Sequence, residues 1–488
     1  MSQSSTGIFS AQQDIGSPAL SGSSSFSVGS ELYTLRGAGY NIWFDRDEFQ
    51  YVYQEIEGDF ILTGDFRFVG KEADARRKVG WMVRESTDEQ AAHLSATLHG
   101  DGLTAMQWRE LRGAFMRDHQ DEIFPPKHHY NTLQLERKGQ TFVMRAAHKG
   151  EPLQVIGSHD MPDFPAKVLV GLFICAHNPA VIEEAQAWNV RIDQPVANDY
   201  DPYDEGFLGC RLELMNVFDG HRKVIYEHPG RFEAPNWMPG GDKLLFNMNG
   251  HLHTIPVAGG EPTLLPTGFA DRNNNDHGIS FDGKKIAISH HVTGLPEGGS
   301  TIYVLPIEGG EPRQVTTLTP SYWHGWNPNN QEVVFVGKRP ETGSSYHIFK
   351  ADIETGAETQ LSFFEGYHVD GPEYAPDGEY IYYNGNQSGT MQIWRMKPDG
   401  TAHEQLTFDQ YNDWFPHISP DGKWLVFLSF PEDIDVDSHP AYQRVMLRLM
   451  PVSGGAPRVI AHLYGGQGTI NVPSWSPNSK QIAFVSNY

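Results

Sequence analysis

One short motif recurs six times between residues 237 and 484, and this repetition constrains the fold more than any other feature. Each copy has an aromatic or aliphatic residue, a spacer, Pro or Phe, a turn pair, two polar residues and an alternating apolar strand. The turn residues are separated by 42, 47, 48, 44 and 57 positions, which is the length of a four-stranded propeller blade. The sequence therefore predicts a six-bladed β-propeller. The turn residues are Gly241, Gly283, Asn330, Gly378, Gly422 and Ser479.

The sixth copy ends at Tyr488, directly after its second strand. The missing half is found upstream, because RLELMNVFDGHRKVIYEH at residues 211–228 has the pattern of strand, turn and strand. We expect the last blade to be shared between residues 209–228 and 472–488. Such pairing of the two chain ends removes open sheet edges and places the propeller at residues 209–488.

The chain of 488 residues is too long for one ordinary hydrophobic core, so two domains are expected. Residues 1–195 contain short alternating strands without helical periodicity, which predicts a β-sandwich. Residues 196–208 are rich in Pro and Asp and form the predicted linker. The fold class is therefore all-β, with an N-terminal jelly-roll β-sandwich and a C-terminal six-bladed β-propeller.

The formal charge of −24 argues against nucleic acid or an anionic membrane as the main partner. The sequence has no phosphate-binding loop or dinucleotide motif, so no organic cofactor is expected. The N-terminus lacks a basic segment followed by an apolar one, which indicates a cytoplasmic protein, or a secreted or periplasmic one from which a signal has been removed. Homo-oligomerisation is left open.

The six copies resemble the TolB-type propeller repeat, with its SPDG turn and LT ending; QIWRMKPDGTAHEQLTF, from Gln392, matches it well. In that family the fold serves protein docking, peptidase gating and several carbohydrate-active enzymes, so the fold alone does not fix function. In the N-terminal part, VGWMVRES and VGLFICAHNPAVIEEAQAWNVRI resemble concanavalin-like jelly-roll domains of carbohydrate-related proteins. That second resemblance implies a domain that binds sugars or packs against a catalytic partner.

Four aromatic residues of the N-terminal part are candidates for stacking on a sugar ring: Trp43, Tyr53, Trp81 and Trp108. Most are expected to be core residues, since Trp81 alternates with apolar neighbours on one strand face. Trp108 lies beside Arg109 and Arg112, and we predict that it is the most exposed of the four.

In a propeller, the inner strand of each blade lines the central channel, so functional groups are expected just before each turn motif. His277 and His324 occupy equivalent positions there, and His417 is one place off. Three imidazoles from these blades are predicted to converge on a divalent ion, Mn, Zn or Ca. The alternative is structural: with 22 histidines, some reach these positions by chance and bond the backbone of a neighbouring blade.

The polar register is also similar to that of propeller-type oligogalacturonate lyases, which implies a metal-bound uronate carboxylate and a His or Tyr base. The predicted catalytic residues are His277, His324, Glu373 and Asp276, and the predicted substrate-binding residues are Arg272, Tyr322, Trp323, Asp370, Trp414 and Trp108.

Two functions remain open at this stage. The first is a carbohydrate-active protein that cleaves or processes an oligosaccharide, or another small ligand, at the channel mouth, as a metal-assisted lyase or as a hydrolase. The second is a non-catalytic TolB-like recognition module that docks a protein, with a carbohydrate-binding sandwich. A bound metal and turnover of oligosaccharides distinguish the first from the second.

Overall fold

A computed structural model describes residues 6–70, 74–117 and 120–488. Within these ranges the protein is almost entirely β-structure, and it divides into two units, Met1–Pro195 and Val196–Tyr488. The predicted all-β class and the six-bladed propeller are confirmed. In the described ranges, no helix is long and apolar enough to cross a membrane.

The N-terminal unit consists of two antiparallel sheets with one hydrophobic core between them. The first sheet has the strand order β1-β6-β15-β8-β9-β10-β11, and the second has the order β14-β13-β12-β7-β16-β3-β2. Trp81 of the first sheet and Leu133 of the second lie in the same buried cluster, so the unit is a β-sandwich. Its membership of the concanavalin-like family stays a prediction. The strands are β1 (Ala11–Ile15), β2 (Ser23–Ser27), β3 (Leu32–Gly37), β4 (Ile42–Trp43), β5 (Arg46–Asp47), β6 (Phe49–Glu57), β7 (Phe60–Val69), β8 (Lys78–Arg84), β9 (His93–His99), β10 (Thr104–Arg109), β11 (Glu122–Ile123), β12 (Thr132–Lys138), β13 (Thr141–Ala147), β14 (Gln154–Asp160), β15 (Lys167–Cys175) and β16 (Glu183–Asp193).

The C-terminal unit, residues 196–488, contains five four-stranded antiparallel sheets, β19–β22, β23–β26, β27–β30, β31–β34 and β35–β38. A sixth sheet has the order β18-β17-β39, and Trp475 adds to it through a bridge to Ile482. Short 3-10 turns cover Pro296–Gly299 and Pro340–Thr342. The other elements are α1 (Pro202–Glu205), β17 (Cys210–Asn216), β18 (Arg222–His228), β19 (Phe232–Trp237), β20 (Lys243–Met248), β21 (His251–Pro256), β22 (Thr263–Leu264), β23 (Asn273–Ile279), β24 (Lys285–His291), β25 (Ser300–Pro306), β26 (Arg313–Gln314), β27 (Ser321–Trp326), β28 (Glu332–Gly337), β29 (His347–Asp352), β30 (Glu358–Gln360), β31 (Val369–Tyr374), β32 (Ile381–Gly385), β33 (Gln392–Met396), β34 (Glu404–Gln405), β35 (Asn412–Ile418), β36 (Trp424–Phe430), β37 (Gln443–Pro451), β38 (Arg458–Gly465) and β39 (Gln481–Asn487).

The repeated turn explains why each copy of the motif becomes the first hairpin of a blade. All six turn residues adopt a left-handed backbone, with φ of 61° at Asn330, 60° at Ser479 and 69° to 74° at the four glycines. Glycine reaches this region without steric cost, and asparagine tolerates it better than most residues. The turn therefore reverses the chain between the inner strand and the second strand.

In two copies of the motif, the tryptophan that opens the copy joins neighbouring blades. Trp326 donates its indole N–H to the carbonyl of Gly278 at 3.0 Å, and Trp475 donates to the carbonyl of His417 at 3.0 Å. Both acceptors lie one blade earlier in the chain and occupy the same repeat position. Each bond satisfies a buried polar group between two sheets and fixes their spacing.

The final sheet joins the two ends of the propeller. β17 pairs with β39 from Cys210 opposite Asn487 to Asn216 opposite Gln481. At its centre the buried carboxylate of Glu213 accepts hydrogen bonds from Arg222 at 2.5 Å and from the Ser486 hydroxyl at 2.5 Å. These three side chains come from all three strands of the sheet, so one ionic group links its whole width.

Replacing Glu213 with Gln removes the charge that balances Arg222, and both side chains are almost fully buried. We expect the free energy of unfolding to fall by about 3 kcal/mol or more, because a buried ion is left without its partner. Urea unfolding followed by tryptophan fluorescence measures this change.

Glu227→Gln is the matched control, since Glu227 pairs with Arg211 in the same sheet but has a mostly exposed side chain. Its cost is expected to stay below about 1 kcal/mol. Equal costs for the two variants contradict the role given to Glu213.

Candidate functional site

A cavity of about 590 Å³ opens where the inner strands of the propeller begin. All six blades contribute to its lining, and most of the contributed groups are amides, carboxylates, imidazoles or phenols. The lining residues on the inner strands or directly before them are Glu233, Asn273, Asn274, Asn275, Asp276, Tyr322, His324, Asp370, Phe415 and Asn471. This is the register in which the sequence predicts functional groups.

The inner strands carry bulges at this level, and the bulges orient the side chains. The pairing of β31 with β32 shifts after Asp370, and the pairing of β35 with β36 shifts after Trp414. Gly371 and Phe415 occupy the same repeat position in these blades, with φ of 57° and 55°, and a proline follows each. A bulge turns the strand locally and re-aims the side chains beside it.

Gly371 cannot be replaced without strain, since an added Cβ lies 2.8 Å from the Asn384 side-chain oxygen. Phe415 has a strained, left-handed backbone conformation that non-glycine residues rarely adopt. Its N–H donates to the same Asn384 oxygen at 3.0 Å. The Phe415 ring stacks on His324, with ring centroids 6.2 Å apart. The strained residue therefore supports the imidazole at the centre of the cavity.

Asp276, His324 and Asp370 form the electrostatic centre of the cavity. His324 Nε2 lies 3.0 Å from Asp370 Oδ1, and the N–H of Gly371 donates to the same oxygen at 2.8 Å. Asp276 accepts a hydrogen bond from the Asn274 amide at 3.0 Å. We call these three residues the proton triad.

The two carboxyl groups of the proton triad have pKa values that are displaced in opposite directions. Burial raises the pKa of Asp276 to about 7, and the charges of Asp370 and Glu233 act in the same direction. Burial alone would also raise the pKa of Asp370, but the charge and hydrogen bond of His324 hold it well below its usual range. Asp370 is therefore ionised at neutral pH, while Asp276 is close to half-protonated.

The Asp370 carboxylate favours the charged form of the His324 imidazole. Burial alone would lower the pKa of His324, but the charge and hydrogen bond of Asp370 raise it above the usual value. Nε2 is directed at Asp370, which leaves Nδ1 to exchange a proton with a ligand. The arrangement contains an oriented acid beside a carboxyl group poised to act as a base near neutral pH.

His417 and Glu373 lie outside the cavity lining and join blades to each other. His417 Nδ1 lies 2.6 Å from a Glu373 carboxylate oxygen, and His417 Nε2 lies 2.6 Å from the Ile470 carbonyl. Glu373 also accepts the N–H of Ile418 at 3.2 Å. Through these contacts His417 and Glu373 link the fourth, fifth and sixth blades. This is the structural alternative that the sequence left open.

The three histidines predicted to share a metal ion are not arranged around a common point. In residues 6–70, 74–117 and 120–488, no group of three His, Cys, Asp or Glu side chains is placed to hold a metal ion. Both ring nitrogens of His417 are engaged, and His277 lies outside the cavity lining, where burial lowers its pKa to about 4. The residues do not fit the predicted metal, and we derive no step through one.

Three predicted substrate-binding tryptophans are core residues instead. Trp323 and Trp414 are 1 % and 0 % exposed, and their rings pack in clusters between sheets, so they are not available to a substrate. The prediction that Trp108 is exposed is wrong: it is 5 % exposed and stacks on His159 inside the sandwich. Each of these side chains lies on the buried face of its strand. The alternation of residue types in the sequence did not show which face of the strand is buried.

Of the other predicted binding residues, Tyr322 and Asp370 line the cavity, whereas Arg272 is exposed outside it and donates to the Thr293 hydroxyl. The sequence reasoning missed His439, whose Nε2 lies 3.9 Å from Asp370 Oδ2. It also missed Tyr203 and Phe207 of the predicted linker, which line the same cavity. The sequence signal that could have identified His439 was its place in the long acidic loop after β36.

Comparisons with known proteins agree with the propeller. The family model described as "TolB beta propeller domain" matches residues 279–488. The protein Atu1656 of Agrobacterium fabrum is 44 % identical over 281 residues, which are 57 % of this chain and 93 % of that protein. A solved structure from Agrobacterium tumefaciens, provisionally assigned as TolB, is 43 % identical, with a TM-score of 0.54, and covers 58 % of this chain and 99 % of its own.

A manganese complex of an oligogalacturonate lyase is a distant structural neighbour. It is 14 % identical, has a TM-score of 0.36, and covers 55 % of this chain and 70 % of its own. At that level the similarity carries no argument about this protein.

The raised pKa of Asp276 predicts a pH-dependent stability. The folded state favours protonated Asp276, so its contribution is fully present below about pH 4 and is lost as the pH rises to about 7. Asp276→Asn removes this titration. Relative to the parent, the variant is expected to gain up to about 3 kcal/mol between pH 4.5 and pH 7.5.

Urea unfolding at the two pH values measures this difference, and comparison across pH cancels the effects of altered packing. Asp271→Asn is the control, because Asp271 is exposed and lies just before β23, the strand that carries Asp276. A gain that is the same for both variants contradicts the environment assigned to Asp276.

Proposed function

The chain belongs to the family of TolB-like β-propeller proteins, and we propose that this member is a carbohydrate-active protein that hydrolyses an oligosaccharide at the propeller mouth. The observation that carries the proposal is the proton triad, in which His324 pairs with the buried carboxylate of Asp370, while Asp276 in the same cavity lining has a pKa displaced in the opposite direction to that of Asp370. Groups whose environments separate their pKa values in this way are suited to acid and base roles.

The rest of the cavity supports a hydroxyl-rich ligand. The amides of Asn247, Asn273 and Asn471 in the lining already bond to neighbouring groups, whereas the side-chain nitrogen of Asn275 has no partner among the described residues, and Tyr322 adds a phenol. Paired donors and acceptors of this kind match sugar hydroxyl groups, which both donate and accept. A few polar groups placed around a concave site are typical of specific small-molecule recognition.

The cations near the cavity favour hydrolysis over elimination. An elimination from a uronate needs positive charge to stabilise the enolate that forms. Arg231 lines the cavity but already pairs with Glu233 at 2.7 Å, and Arg272 lies outside the lining. Hydrolysis instead requires an acid and a base, which His324 and Asp276 supply.

In the proposed reaction, His324 Nδ1 gives its proton to the glycosidic oxygen as the bond between that oxygen and the anomeric carbon breaks. Ionised Asp276 takes a proton from the water whose oxygen bonds to the anomeric carbon. Asp370 stays ionised and holds the imidazole in its orientation through Nε2. One water molecule is consumed, and a proton passes from Asp276 back to His324 to restore the starting state.

His324→Ala tests this assignment. We expect kcat/KM on neutral oligosaccharides to fall by about 10²- to 10⁴-fold, the usual contribution of general acid–base catalysis. His221→Ala is the control, since His221 is an exposed residue of the turn between β17 and β18. Turnover by His324→Ala at the parent rate contradicts the proposal.

A second candidate function, recognition of a protein, is favoured by an exposed apolar row. Phe269, Leu318, Phe363 and Phe408 follow the outer strands of four successive blades and are 46 % to 75 % exposed. Exposed apolar residues grouped on one surface are typical of protein-binding sites.

The double variant Phe363→Asp/Phe408→Asp separates the two candidates. A recognition module loses crosslinking to its cellular partner in this variant, keeps that crosslinking in His324→Ala, and turns over no oligosaccharide. If the protein is an enzyme, Phe363→Asp/Phe408→Asp keeps the turnover of oligosaccharides and His324→Ala loses it.

A further inference from the structure

We propose that the substrate is a neutral chain of several sugar units, because the cavity continues into a second chamber that receives the units next to the cleaved bond. This inference rests on the proposed hydrolase function and adds a binding subsite to it. It assigns the predicted linker, residues 198–207, to the substrate-binding machinery.

The second chamber has a volume of about 640 Å³ and lies against the first. Its walls are formed by residues 198–203, by the loop at residues 437–442 and by Gln467 and Gly468. The linings of both chambers include Tyr203, Phe207, Arg231, Glu233, His439 and Gln467. These six side chains therefore lie at the boundary where the two chambers meet.

Each chamber alone is within the range of about 300–1,000 Å³ that holds a drug-sized ligand. Two such volumes, in contact, exceed what a single sugar unit fills. A linear oligosaccharide whose cleaved bond lies in the first chamber extends past the shared side chains into the second chamber.

Aromatic side chains stand where the two chambers meet. The Arg231 guanidinium lies 4.5 Å from the centroid of the Phe207 ring and 6.0 Å from that of Tyr203. The two rings are 5.4 Å apart at an angle of 83°, and Tyr203 is 74 % exposed. An amphipathic ring beside fixed polar groups provides both an apolar face for the C–H side of a sugar and hydrogen-bonding partners for its hydroxyls.

The segment that carries these rings is attached to the propeller at both ends. The N–H of Val196 donates to the Tyr464 hydroxyl at 3.0 Å, and the N–H of Leu208 donates to the Tyr442 hydroxyl at 3.0 Å. Within the segment, Asp201 accepts the N–H of Tyr203 at 2.8 Å and caps α1. These hydrogen bonds fix this wall of the second chamber to the propeller.

The negative charge of the second chamber favours a neutral sugar chain over a uronate chain. Asp199, Asp201 and Asp437 line the second chamber, and Glu233 lies in the shared wall. Arg231 is already paired with Glu233. Anionic sugar units are repelled by this lining, whereas neutral hydroxyl groups donate to its carboxylates.

The test uses malto-, cello- and chito-oligosaccharides of two to six units, with oligogalacturonates as the anionic series. The parent is expected to act on one neutral series with a kcat/KM that rises at least tenfold from two to five units. Tyr203→Ala is expected to remove most of that rise, and Tyr203→Phe to retain it because the ring remains. Phe218→Ala, an exposed ring outside both linings, is expected to match the parent.

Failure of the inference is distinguishable from failure of the proposed function. If a neutral series is hydrolysed through His324 but its length dependence is flat, or is unchanged in Tyr203→Ala, the second subsite is rejected and the hydrolase stands. A preference for oligogalacturonates rejects the charge selection. If none of the series is turned over by the parent, the hydrolase and the subsite are both rejected.

Discussion

The pairing of β17 with β39 is the constraint on which the rest of the propeller depends. Five blades are each made from one continuous stretch of chain, whereas the sixth needs strands from both ends of the unit. The buried group of Glu213, Arg222 and Ser486 holds that sheet together. Because the cavity receives side chains from all six blades, its geometry exists only when this ring is closed.

The bulges of the inner strands convert this rigid ring into a site. Regular strands would alternate their side chains between the two faces of each blade, which suits packing and leaves few groups for the axis. The shift beside Asp370 and the left-handed Phe415 place a carboxylate and a supporting ring against His324. Strain at Phe415 and burial of Asp276 are costs that a purely structural propeller does not need.

The fold was predictable because its signal is repeated, and each copy reports the same local physics. Turn residues that accept a positive φ mark every blade, so the class and the blade number followed from spacing alone. The site was only partly predictable, because position in a repeat gives the level along the axis and not the direction of a side chain. His277 and His324 share a repeat position, yet only His324 lines the cavity. His439 comes from the loop between β36 and β37, which is longer than the corresponding loops of the other blades, so the repeat could not align it.

The chemistry proposed for the cavity depends on the charge of Asp370, which raises the pKa of His324. Titration of the His324 ring by ¹⁵N NMR, in the parent and in Asp370→Asn, measures this effect. We expect the pKa of His324 to lie above the ordinary histidine value in the parent and to fall clearly when the Asp370 charge is removed. An unchanged titration of His324 in Asp370→Asn would contradict it.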